Sequence, residues 1–144
     1  MEDKASPSGL AIVVCDQIIE DKATNKKSLI GIFNNIAAPV FPCRHPQLSV
    51  FVSLTEGRGK YAARLRIVNE ETGAAVADVK GEIQLPDIHA AAELAFNFIG
   101  LEFPKPGLYS IEFYCDDALI LERRFHAVQV KQQPPPKGPP PAEL

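Results

Sequence analysis

The sequence has no tryptophan, a single methionine and no apolar run long enough to cross a bilayer as a helix. Its first apolar run, Leu10 to Cys15, is also too short for a signal core, and Met1-Glu2-Asp3-Lys4 lacks a basic leader. These absences predict a cytoplasmic chain with no membrane partner. Basic clusters are scarce too. There are 15 Lys and Arg against 18 Asp and Glu, and the densest pairs are Lys26-Lys27 and Arg123-Arg124. A net charge of -3 without a basic stripe argues against nucleic acid as a partner. The three cysteines, Cys15, Cys43 and Cys115, are odd in number and show no C-x-x-C spacing, which excludes a disulfide framework and fits a reducing compartment.

What is present is period-two alternation. With 144 residues, 46% of them hydrophobic, the chain can bury one core. Leu10 to Glu20 is rich in β-branched residues, and its Ile12-Val13-Val14 run predicts a segment covered on both faces. Ser28 to Ile36 reads as the second strand, with Gly31 marking an irregularity. Ala37 to Pro46 carries three prolines and reads as a crossover loop. Gln47 to Glu56 places Leu48, Val50, Val52 and Leu54 on one face, with Phe51 anomalous on the polar side.

Gly57-Arg58-Gly59 reads as a hairpin turn into Lys60 to Asn69, and Ala75 to Leu85 continues the meander. Pro86 to Glu93 is the one stretch with helical character, one or two turns at most that Asp87 can cap, or merely a loop between sheets. Leu94 to Phe103 returns to strand, with a phase change expected at Gly100. A closing hairpin follows: an entry at Pro106-Gly107, a reversal at Asp116-Asp117, and a second strand to Val130 with a bulge expected near His126-Ala127. Tyr109, just after Gly107, reads as the tyrosine of a sandwich corner.

The fold expected is all-β: an antiparallel β-sandwich, immunoglobulin-like or jelly-roll-like, of about eight strands with one short helical turn. Residues 1–9 read as a flexible lead-in, 10–130 as the domain, and 131–144, with their many prolines, as a disordered polyproline-leaning tail.

Chemistry is argued by elimination. Cys43-Arg44-His45 is the only tempting cluster, and the further ligands that a metal site needs show no finger or ribbon spacing. No cofactor is expected, because there is no P-loop or G-x-G-x-x-G, and no nucleophile elbow accompanies the histidines. Asp16 follows an apolar run inside a predicted strand, so the reading gives it an ion-pair partner among Arg64, Arg66, Arg123 and Arg124, with a binding role as the alternative. Phe51 is read as covered by a neighbouring loop or, alternatively, as partner surface. Pro136 to Pro139 forms a minimal PxxP that could dock an aromatic groove.

The Cys15-Asp16 strand end, the Ser28-Leu29-Ile30-Gly31-Ile32-Phe33 strand and the Pro106-Gly107-Leu108-Tyr109 entry together resemble a family of small single-domain bacterial β-sandwich proteins of unknown function. The resemblance spans about Leu10 to Val130 and implies a bacterial cytoplasmic protein with no assigned catalytic residue. The function expected is therefore a non-enzymatic binding or assembly module. It would act on another protein or on itself through a sheet edge, with Phe51, Asp16, Cys43, His45, Pro136 and Pro139 as candidate surface. The alternative is a small-ligand protein or enzyme with a loop site around Cys43 and His45.

Overall fold

The computed structural model describes residues 5–131, whose regular structure is all β. The strands are β1 (Ser8–Glu20), β2 (Lys27–Ile32), β3 (Asn35–Ala38), β4 (Cys43–Thr55), β5 (Gly59–Asn69), β6 (Ala75–Leu85), β7 (Ala92–Phe103), β8 (Gly107–Cys115) and β9 (Ala118–Gln129). They form a sandwich of two sheets, ordered β2-β1-β4-β7 and β3-β9-β8-β5-β6. The pairing of β4 with β7 and of β5, β8 and β9 opposite them is the immunoglobulin arrangement, not the jelly roll. Tyr109 opens β8 fully buried, and its hydroxyl donates to the Lys105 carbonyl at 2.7 Å, the tyrosine corner expected from sequence.

Alternation builds the core. Leu48, Val50, Val52 and Leu54 of β4 are fully buried and face a second sheet that supplies Leu65, Ile67, Ile111 and Phe113. Each such side chain is worth about 1.5–3 kcal/mol of burial. Phe103, Tyr109 and Phe125 close one end of the core with ring centroids 5.1–5.7 Å apart. Asp116 and Asp117 both take positive φ (49° and 67°), which gives β8 and β9 the expected two-residue reversal.

Several expectations are corrected. Nine strands stand where about eight were expected, because the Ser28 to Ile36 strand breaks at Phe33-Asn34. Its continuation, β3, changes sheet and pairs parallel with β9, so the sandwich is not purely antiparallel. Together with the early start of β4 at Cys43, this shortens the proline-rich crossover from both sides. Gly57-Arg58-Gly59 is not a hairpin turn. It carries the chain from β4 in one sheet to β5 in the other, and a Cβ at buried Gly57 would run into Leu85 Cδ1.

Pro86 to Glu93 forms no helix. His89 N–H bonds the Asp87 carboxylate and Ala90 N–H the Asp87 carbonyl, closing one turn before β7 begins at Ala92. The bulge of the last hairpin lies at Phe113/Tyr114, where the register shifts past Ile120, and not at His126-Ala127. The small Ala127 faces the core there, and Val128 stays exposed. Among the described residues of the expected lead-in, Ser8 lies in β1, and the Ala5 carbonyl accepts from Tyr61 Oη at 2.9 Å.

Two irregularities share one design. At Gly100 (φ +68°) the inward phase of β7 changes, as expected, from Phe98 to Leu101, and β4 changes with it from Leu48 to His45. The Pro46–Gly100 position goes unpaired while the register on both sides stays the same. Asp16 and Gly31 (φ +71°) repeat the arrangement in β1 and β2. A glycine in the left-handed region turns both strands over together, without the extra residue that a bulge would add.

Candidate functional site

The second of these irregularities bends a hairpin. Lys27 pairs with Glu20, five residues beyond the Cys15–Ser49–Asn97 row, and Glu93 lies four residues to the other side of that row. A straight sheet would separate them by about 30 Å along the strands. Lys27 Nζ nevertheless lies 3.8 Å from Glu93 Oε1. The tip of the β1–β2 hairpin therefore folds back across the outer face of the β2-β1-β4-β7 sheet.

Burial on that outer face agrees. Cys15 and Ser49 are inaccessible, Ser53 is nearly so, and Val13, Ile18, Leu29 and Phe51 are half-buried, yet none of them belongs to the core between the sheets. The two-sided cover expected for Ile12 to Val14 has this origin. Ser49 Oγ donates to Asn97 Oδ1 at 2.7 Å, so the row carries a satisfied polar pair. Burial is the main reason that the Cys15 thiol is pushed above its ordinary pKa.

The other side of the hairpin is apolar and open. Ile19 and Ile30 are 42% and 45% exposed, and Ile32, just below the bend, is 57% exposed. Within its sheet, β2 is an edge strand. The opposite edge of the molecule is dressed differently. β6 presents Asp78, Lys80, Glu82 and Gln84, and Asp78 takes bonds from Arg64 Nε and Nη2 at 2.8 and 2.6 Å. Charge of that kind guards an edge against pairing. The Arg64 bond is the leading cause that holds the Asp78 carboxyl below its ordinary pKa.

The residues singled out from sequence are placed as follows. Phe51 lies half-buried on the face that the hairpin covers, paired across to Val13 and Ala95. Asp16 is exposed at the bend, and the expected ion pair is not formed: Arg64 and Arg66 turn to Asp78, Arg124 to Glu70 and Arg123 to Asn34 and the Ile12 carbonyl. The bend itself removes the need for a partner, because it leaves the carboxylate in solvent. Asp16 and His45 line a shallow cleft of about 330 Å³ with Gly31, Phe33 and Asn35. The His45 ring stands 5.4 Å from that of Phe33.

Cys43, two residues before His45 on β4, packs against the core, and burial pushes its thiol pKa up, away from a reactive thiolate. Among the described residues, no hydrogen bond or ion pair joins Asp16, Cys43 and His45, and no group of three metal-ligating side chains occurs. Pro136 and Pro139 lie outside the described residues. Among those described, no helix is long and apolar enough to cross a membrane.

Sequence reasoning did not single out Ile19, Ile30, Ile32 or the Lys27–Glu93 tie. The signal available was that Ser28 to Phe33 carries apolar residues on both faces, as a ribbon does when one side packs and the other is offered.

Among solved structures, the chain is similar to one in the crystal structure of beta-glucosidase from Listeria innocua in complex with isofagomine. The TM-score is 0.47 at 7% identity, over 88% of this chain and 17% of that one. No curated protein matches. The model of one family does match, over residues 10–128, nearly the whole sandwich. The chain belongs to that family, the family of unknown function DUF6941.

Proposed function

We propose that the protein is a non-enzymatic binding module that docks another protein along β2 and the solvent side of the β1–β2 hairpin. The observation that carries this reading is the exposure of Ile19 and Ile30 on the solvent side of an edge ribbon, with Ile32 exposed just below its bend. Single exposed apolar residues elsewhere are ordinary surface, whereas a cluster at a strand edge is recognition chemistry. An edge strand recognises an extended segment by main-chain hydrogen bonds and selects it by side-chain contacts at alternate positions. The setting we propose is the bacterial cytoplasm. That Cys15, Cys43 and Cys115 form no disulfide among the described residues supports a reducing compartment, and the resemblance to a bacterial family supports the source.

The test is quantitative capture from the native cells by full-length protein and by Ile30→Lys/Ile32→Lys, with a chain ending at Val130 as a separate arm. A partner retained by wild type and lost from the double variant supports the hairpin. Retention by the double variant with loss on truncation would move the interaction to the proline-rich segment.

One observation favours a second reading, a small-ligand site: Asp16 and His45 share a cleft. A ligand there would raise the Tm of wild type and leave that of His45→Ala unmoved.

A further inference from the structure

We propose that the tip of the β1–β2 hairpin, residues 16–31, is a hinged strap that opens from the sandwich independently of global unfolding and uncovers Cys15 and the outer face of its sheet. The inference does not rest on the docking proposal above.

Three features carry it. The first is a hinge. The Asp16–Gly31 position is unpaired, Gly31 has φ +71°, and β1 gives up its pairing with β4 at Cys15–Ser49. Beyond that row, the strap is held in its sheet by pairing within itself alone. The second is a weak closure. Lys27–Glu93 is the ion pair found between the strap and the face it covers among the described residues, and Glu93 is nearly half exposed. Between the strap and the face lie a few half-buried apolar side chains, Ile18 and Leu29 from the strap and Val13 and Phe51 from the face, where the inter-sheet core has many fully buried ones. A segment with little buried area and a tie to a half-exposed carboxylate opens at lower free energy than the core. The third is separation. Cys15 is inaccessible but outside the core cluster, so uncovering it does not require the two sheets to part.

The fold supplies its own reference. Cys115 is 1% exposed and belongs to the inter-sheet core, so its reaction reports global unfolding. Alkylation of the full-length protein, followed per cysteine by peptide mass spectrometry, compares the two thiols in one sample. If the strap opens independently, Cys15 reacts at least about tenfold faster than Cys115, which corresponds to roughly 1.4 kcal/mol between the two openings. Glu93→Lys, which sets two cations face to face, raises the Cys15 rate about fivefold and leaves Cys115 unchanged. The exchanged pair Lys27→Glu/Glu93→Lys returns it toward wild type. Equal rates at the two thiols, a Cys15 slower than Cys115, or a Cys15 rate indifferent to Glu93→Lys would each overturn the proposal. A Glu93→Lys chain that unfolds as a whole shows itself by an accelerated Cys115, and the exchanged pair then decides.

Discussion

Replacing Gly31 by alanine tests the bend on which the rest depends. Two costs are available. A Cβ at Gly31 would run into Asp16 Oδ2, and φ at this residue is +71°. The first cost is small, because Asp16 is exposed and its carboxylate can swing into solvent. The second stays, because the left-handed region costs an L residue roughly 1–2 kcal/mol whatever space surrounds it. Gly31→Ala should therefore destabilise the strap by about 1–2 kcal/mol. The loss is to be read in two ways: as a drop of about 4 °C in Tm where the strap unfolds with the domain, and as faster Cys15 alkylation where it opens alone. The same substitution in an Asp16→Ala background separates the causes. An undiminished penalty identifies the dihedral angle, and a vanished one identifies the clash. A Gly31→Ala chain equal to wild type in both readouts would refute the reasoning and with it the claim that this glycine makes the bend.

Other outcomes follow from individual contacts. Tyr109→Phe removes the hydroxyl that bonds the Lys105 carbonyl and should cost about 1 kcal/mol in urea denaturation. Tyr109→Ala, which also empties a fully buried site, should cost about 3–5 kcal/mol. Arg123→Ala removes guanidinium bonds to Asn34 Oδ1 and the Ile12 carbonyl, and should cost about 1–3 kcal/mol in the same assay, because the open edge of β1 loses its donor. For Asp78 the folded pKa is depressed, so its stabilising contribution is present above the unfolded value and is lost as pH falls through the lower folded one. NMR titration should place its midpoint below the ordinary 3.8, and Arg64→Gln should raise it.

How much of this was legible from sequence depended on how local the determining contact is. The inward residues of β4 and β5 could be read because alternation is a property of the strand itself, and Tyr109 because its acceptor is four residues away. Pairing partners were not legible. Gly57-Arg58-Gly59 has the composition of a hairpin turn, and only the distant strands β1, β7, β6 and β8 decide that β4 and β5 belong to different sheets. The four residues of β3 sit beside prolines, and their single pairing is with a strand some ninety residues later. At the end of β9, ranking by hydrophobicity favoured Val128 over Ala127 for the core, whereas the phase set by Phe125 carries on to the buried Ala127 and leaves Val128 exposed.

The candidate surface divided in the same way. Asp16 and His45 do come to one cleft, but the phase change at Gly31 put Asp16 in solvent and left its expected arginines to other acids. Ile30 and Ile32 could be recognised as surface only once the bend was known, since in a straight hairpin either face of Ser28 to Phe33 could have been the buried one.

The functional proposal is tested most directly by hydrogen–deuterium exchange of the full-length protein with and without the protein that wild type captures. The account predicts slowed exchange concentrated in Lys27–Ile32, with the charged edge Asp78–Gln84 unchanged. Protection at Asp78–Gln84 or around His45, with Lys27–Ile32 exchanging as in the free protein, would contradict it.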